Sequence, residues 1–380
     1  MKLKVTAAVL LTAALFQRAT APVSAGPLNV IPCSIYGTDD RVDYYQADKV
    51  MKKLAESTAA LFKDSDIPLD EASGQYKLKL LSLKDKYNLK PGQNFGAQPV
   101  GAFCSAALIG DDTVLTSGHC FKPDQRGGPC ERVKFVFGYA VTKEGETPSS
   151  FAAADVYSCK AIKYQRVQDE TANFACMSGN CREKALAGLG PDFAIVQLDR
   201  KVKGRYPLAV SRKAIAAGAK VAAVGYPSGL PVKVAGNGKV RSVSNKGYFV
   251  TDLDTFGGNS GGPVFNTATF KIEGVLSRGG VDYVYGAGTP VEDPKNPYLQ
   301  VPGEANVYPQ EGGRGEDVTL ATEFESLIPV TEMEKALDNM QPASKKPQVT
   351  PAIYYPDGGG KVQPAIYNPP PASGPRVISI

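Results

Sequence analysis

Among 380 residues there is one histidine, His119, and no tryptophan. A single imidazole excludes an H-E-x-x-H zinc site, which needs two histidines one helical turn apart. The seven cysteines contain no C-x-x-C pair, so the common zinc-ribbon and dithiol patterns are absent. No metal and no cofactor is expected. Nor is there a long apolar run. The longest, Val5–Phe16, covers about twelve residues, short of the ~20 that cross a bilayer. Charge of one sign is also scarce, with 43 Lys and Arg against 38 Asp and Glu, a net +5. That excess is too small to point to nucleic acid or an anionic membrane as the partner.

What is present begins with an export signal. Lys2 and Lys4 precede the apolar run, and Val23-Ser-Ala25 provides the small residues of a cleavage site before Gly26. Residues 1–25 are therefore read as a signal peptide and 26–34 as a short leader. Removing residues 1–25 takes away three cations and no acids, leaving +2. A secreted location, extracellular or periplasmic, suits the cysteines, because disulfides persist outside the reducing cytosol.

The stretch Asp254-Thr-Phe-Gly-Gly-Asn-Ser-Gly-Gly-Pro-Val-Phe265 sets Ser260 among four glycines. Without β-carbons, backbone N–H groups can come close to a ligand. Acyl transfer needs that setting: an exposed nucleophile beside donors for a developing oxyanion. A glycine-rich hairpin is the plainer alternative. If an imidazole activates Ser260, it must be His119, in Val114-Leu-Thr-Ser-Gly-His-Cys120. Asp192 stands at the mouth of an alternating strand pattern, Pro191-Asp-Phe-Ala-Ile-Val-Gln-Leu198, where a carboxylate could hold the imidazole tautomer. Gly258–Gly262 also satisfies G-x-S-x-G, but that elbow needs its histidine after the serine, and none follows. The order His119, Asp192, Ser260 is that of chymotrypsin-type barrels.

Phe103-Cys-Ser-Ala-Ala-Leu-Ile109, Leu115–Cys120, Asp192–Val196 and Gly258–Pro263 together resemble the trypsin-like serine peptidases. Asn259 before the serine, Val224-Gly-Tyr-Pro227 and Thr251–Thr255 are similar to the bacterial glutamyl-endopeptidase-like branch. The resemblance covers about residues 35–332. It implies an all-β fold of two six-stranded antiparallel barrels with short helices, and a site between the barrels. It implies that His119, Asp192 and Ser260 are catalytic, with the Gly258 and Ser260 N–H groups as the oxyanion hole. It also implies a Cys104–Cys120 disulfide. Cys176 with Cys181, and Cys130 with Cys159, are further pairings, and Cys33 is then left over.

In the same pattern Asp254 and Thr255 lie at the pocket for the residue before the cut, with Ser277 and Gly279 on its wall. An acidic floor favours Arg or Lys. The rival is Glu specificity by analogy with the glutamyl branch. However, the branch's pocket histidine is matched by Leu276, and Asp254 would repel a carboxylate. The expected function is a secreted serine endopeptidase acting on proteins or peptides as a monomer. The alternative class is a catalytically silent binding protein on the same scaffold.

Along the chain, Ala47–Leu61 carries helical spacing that passes into a strand at Ser57–Phe62. Short apolar runs follow from Ala102 to Ser277, with Gly236-Asn-Gly238 as a hairpin turn. Tyr164–Leu189 reads as an irregular insertion, Ala287–Val318 as a surface loop, and Ala321–Ile328 as the last helix. Residues 333–380 read as a Pro/Gly-rich, disordered tail in which Pro351-Ala-Ile-Tyr354 recurs as Pro364-Ala-Ile-Tyr367.

Overall fold

The computed structural model describes residues 35–122, 129–167, 189–244, 246–280, 282–285, 289–290 and 301–340. The signal and leader, Cys33, the Cys176 and Cys181 pair, and the segment after Met340 with its repeat lie outside the described residues.

Two antiparallel barrels dominate. The first closes through six strands in the order Val156–Arg166, Phe193–Leu198, Thr113–Thr116, Cys104–Gly110, Thr58–Lys63 and Val133–Phe137. The second runs Lys220–Gly225, Pro263–Asn266, Ile272–Arg278, Glu316–Leu320, Tyr248–Thr251 and Lys233–Val243, and closes where the last strand pairs with the first. A seventh strand, Arg41–Asp43, adds to the outside of Lys233–Ala235.

Side-chain alternation explains why these strands read as nearly continuous apolar runs. In Thr58–Lys63, Ala59 and Leu61 fill the first barrel while Ala60 and Phe62 face the core shared with the second. In Lys220–Gly225, Val221 and Ala223 fill the second barrel while Ala222 and Val224 join that shared core. Both faces of each strand are buried, so neither needs polar residues. Phe62 and Tyr139 meet edge to face in the shared core, with centroids 5.3 Å apart. Each such aromatic contributes about 1.5–3 kcal/mol by burial.

The helix Lys49–Glu56 starts where the Asp48 carboxylate accepts the Val50 and Met51 N–H groups at 2.8 and 2.9 Å. It buries Met51, Leu54 and Ala55 and hands over directly to the strand Thr58–Lys63.

Three expectations are corrected. Gly236-Asn-Gly238 is not a turn but lies inside the strand Lys233–Val243. There the register slips by one residue between Val221↔Gly238 and Ala223↔Ala235, a β-bulge. The expected surface loop Ala287–Val318 contributes Glu316–Leu320, whose five residues are all buried and close the second barrel. Ala321–Ile328 forms two 3₁₀ turns, and the last helix is Glu332–Met340. That helix docks through Glu334, which pairs with Arg212 at 2.8 Å, and through Asp338, which pairs with Lys271 at 2.5 Å. The compact unit extends to Met340.

Candidate active site

Strand register brings His119 and Asp192 together. Phe193–Leu198 pairs antiparallel with Thr113–Thr116, with Ala194 opposite Thr116. Two residues beyond that pair stand Asp192 on one chain and Gly118 on the other. His119 follows in the 3₁₀ turn Gly118–Phe121, which the Cys104–Cys120 disulfide ties to the neighbouring strand.

The Asp192 carboxylate engages His119 twice. Oδ2 lies 2.6 Å from Nδ1, and Oδ1 accepts the His119 backbone N–H at 3.1 Å. The Asp192 side chain is 2% exposed and that of His119 is 20% exposed, so the carboxylate is enclosed while the imidazole reaches the surface. Burial pushes the Asp192 carboxyl up. The charge and hydrogen bond of His119, the Arg278 guanidinium and the His119 N–H outweigh it, and the net shift is downward. An ionised Asp192 therefore faces Nδ1, which leaves Nε2 as the ring's other nitrogen.

The Ser260 loop is fastened to the first barrel next to this pair. The Ser260 carbonyl accepts the Ser105 N–H at 2.8 Å, and the Ser105 hydroxyl donates to the Gly258 carbonyl at 2.8 Å. Gly261, at φ +83°, lies where a β-carbon would overlap Thr116 Oγ1 and Ser105 O and stand 2.7 Å from Ser117 N. No side chain fits there. Gly261 N and Ser117 Oγ both donate to the Leu276 carbonyl, at 2.7 and 2.8 Å. The loop is thereby locked to the residues just before His119. Cys120 Sγ lies 3.8 Å from the Ser260 carbonyl oxygen.

The loop's donors divide into two sets. Asn259, Gly261 and Gly262 N–H groups bond Phe256 O, Leu276 O and Asn259 O. Among the described residues, the Gly258 and Ser260 N–H groups have no acceptor. Gly258 holds φ +102°, a conformation that favours glycine. Ser260 itself is only half-buried.

Ser105 was missed in the sequence. Its only sign there is a hydroxyl inside the apolar run Phe103–Ile109, and its partners are remote. Arg278 was missed too. It is 5% exposed, pairs with Asp317 at 3.0 Å, and donates to the Gly190 carbonyl at 2.9 Å, two residues before Asp192.

The residues expected to form the pocket separate into two groups. Asp254 is 3% exposed, and its oxygens accept the Tyr36 and Asp40 N–H groups at 2.8 and 2.9 Å. It anchors the segment 35–43. Burial, reinforced by the neighbouring Asp40 carboxyl, pushes it up to about 7. Ser277 Oγ lies 3.3 Å from the Asp192 carbonyl and 2.6 Å from Thr319 Oγ1, so it braces Asp192. Thr255 and Gly279 do converge, on Glu316. Cys104, His119 and Cys120 cluster within 4.8 Å, but both sulfurs are spent in a disulfide, which leaves a single nitrogen. The Cys130–Cys159 pairing is also present. Among the described residues no helix is long and apolar enough to cross a membrane.

Two closed barrels with a His–Asp pair and a glycine-rich serine loop where they meet define a double-barrel fold. Residues 104–275, somewhat under half of the chain, match the family described as trypsin-like peptidase domain. No curated protein matches the chain. Similar solved structures include the VesB protease of Vibrio cholerae, 15% identical over 76% of this chain, with a TM-score of 0.42. This chain spans 65% of that protein, just under two thirds of its length. The active form of the Rv3671c protease of M. tuberculosis is 14% identical over 80% of this chain and 91% of its own, with a TM-score of 0.39. A Glu endopeptidase is 16% identical over 77% and 98%, with a TM-score of 0.37.

Proposed function

We propose that this is a secreted serine endopeptidase in which Ser260, His119 and Asp192 carry the reaction and which cuts after Arg or Lys. The observation that carries the reading is the 2.6 Å contact between His119 Nδ1 and Asp192 Oδ2, set beside a serine loop tied down by Ser105.

In the proposed reaction His119 Nε2 removes the Ser260 hydroxyl proton as Oγ attacks the scissile carbonyl carbon. The same nitrogen then gives that proton to the leaving amine, and water repeats the sequence on the acyl-enzyme. Asp192 holds the tautomer and stabilises the imidazolium without taking the proton. The uncommitted N–H groups of Gly258 and Ser260 serve the oxyanion, each worth about 3–4 kcal/mol of barrier. The disulfides Cys104–Cys120 and Cys130–Cys159 support export to an oxidising compartment.

The test is stoichiometric labelling by a fluorophosphonate, lost in Ser260→Ala, together with hydrolysis of peptide substrates. A protein that folds yet neither labels nor cleaves would be the silent binding module instead.

A further inference from the structure

A free N–H serves an oxyanion only if its peptide is held the right way round. We propose that Asp282 and Tyr283 are positioning residues of the reaction: through Gly257 and Ser228 they fix the Gly257–Gly258 peptide so that the Gly258 N–H stays turned to the oxyanion. The proposal rests on reading the site as that of a serine endopeptidase.

A peptide between two glycines is lightly restrained by its own side chains. In a trans peptide the C=O and N–H point in opposite directions, so whatever holds the Gly257 carbonyl also aims the Gly258 N–H. That carbonyl accepts the Ser228 N–H at 2.5 Å. The Gly258 N–H therefore turns away from the 3₁₀ turn Pro227–Gly229. Gly258 is pressed against the same turn, since a β-carbon on it would stand 2.5 Å from Tyr226 O.

Ser228 is an unusual anchor. It is 1% exposed and holds φ +53°, a left-handed conformation. A residue other than glycine keeps that conformation at a cost, and only where its surroundings impose it. Here two tyrosines impose it. Tyr283 Oη lies 2.7 Å from Ser228 Oγ, and the Tyr87 hydroxyl donates to the Ser228 carbonyl at 3.4 Å. Asp282 holds the other partner, for its Oδ2 accepts the Gly257 N–H at 2.8 Å. The Tyr283 ring also meets that of Phe256 edge to face, with centroids 5.1 Å apart. Two consecutive residues thus grip both ends of the bond between Ser228 N and Gly257 O.

These residues come from neither barrel. The strand Tyr283–Tyr285 belongs to a small three-stranded sheet with Thr289–Pro290 and Gly303–Ala305. Both barrels close without it. Its contacts with Gly257, Phe256 and Ser228 fall instead on the loop that carries Ser260.

The test uses the purified protein, with active sites counted by exhaustive fluorophosphonate labelling, a peptide substrate and the matching peptide aldehyde. The aldehyde's hemiacetal oxygen takes the oxyanion position, so its affinity reports on orientation where a merely structural role would not. Asp282→Ala should lower kcat per labelled site by about tenfold or more, since a whole donor is worth about 10²–10³-fold. KM should change little, and aldehyde affinity should fall by the same factor as kcat. Asp282→Asn keeps an oxygen for the Gly257 N–H and should recover most of the loss. Tyr283→Phe removes one oxygen atom and keeps the ring on Phe256. It should lower kcat and aldehyde affinity together by about threefold, less than a whole donor, and it carries the test if Asp282→Ala does not fold. The proposal is overturned if kcat per site and aldehyde affinity stay at wild-type values while only the thermal melt moves. It is also overturned if kcat falls with aldehyde affinity intact. Wild type in which Ser260 never labels would instead overturn the reading of the site, and this proposal with it.

Discussion

The Ser105 N–H donates to the Ser260 carbonyl at 2.8 Å, so a strand of the first barrel holds the loop of the second that carries Ser260. The Ser105 hydroxyl adds bonds to Gly258 O and from Tyr226 N, at 2.8 and 3.1 Å. Ser105→Ala removes both and leaves two buried partners unsatisfied, at a cost of about 1–3 kcal/mol. The expected outcome is a fall in kcat of about 10–100-fold that exceeds any loss in KM. Steady-state kinetics beside a thermal melt checks this.

Asp192→Asn should leave the fold intact, because Asn keeps one oxygen for the His119 N–H. It should lower kcat by about 10⁴-fold by reversing the imidazole tautomer. Peptide hydrolysis by a variant with a wild-type circular dichroism spectrum is the measurement. Retention of more than a tenth of the activity would remove Asp192 from the mechanism.

Asp254 yields a prediction in pH. An unfolded Asp ionises near pH about 4, and the folded group does so at about 7. Between those values the native state holds the extra proton, so this group's contribution to stability falls as pH rises from about 4 to about 7 and returns on acidification. Asp40→Asn removes the adjacent charge while leaving an oxygen for the Asn237 N–H, which Asp40 Oδ2 accepts at 2.8 Å. The variant should melt above wild type at pH 8, with the gap narrowing by pH 5. A gap of equal size at both pH values would refute the assignment.

The Cys104–Cys120 bridge spans a sequence separation of 16. Loops of that size confer about 3 kcal/mol by restricting the unfolded chain. Replacing both cysteines by alanine should lower the melting temperature and also lower kcat at temperatures where the protein is still folded, because the bridge sets the His119 turn. Activity that simply tracks the folded fraction would show that the bridge acts on stability alone.

Glu334 is 2% exposed at its side chain and meets Arg212, which also engages Glu325. Glu334→Ala leaves the Arg212 guanidinium, itself 25% exposed, with Glu325 as its remaining acidic partner. Full burial of such a charge costs about 3–5 kcal/mol, and partial exposure should reduce this to about 2 kcal/mol. Urea denaturation checks the value, with kcat expected to stay near wild type because the helix's ion pairs run to Arg212 and Lys271 and not to the serine loop.

The candidate site could be proposed from the sequence because its motifs are local. His119, Asp192 and Ser260 each sit in a short stretch whose glycines, β-branched residues and spacing speak for themselves. The strands around them were legible for the same reason, since alternation needs only neighbours. What escaped reading depends on partners far along the chain. Asp254 looks like a pocket acid until Tyr36 and Asp40 arrive to claim both its oxygens. Gly236 and Gly238 look like a turn, yet their strand continues because Gly238 must lie flat under Leu253, whose side chain would overlap a β-carbon there. Glu316 was lost inside a segment whose Pro, Gly and acid content suggested a loop, although its strand is wholly buried.

The lone imidazole held by Asp192 doubles as a built-in spectroscopic reporter. Its ring-proton resonances have no counterpart elsewhere in the chain, so every inhibitor, metal additive or pH step that disturbs the reaction centre can be followed by one unassigned pair of peaks, with no isotope label and no engineered probe.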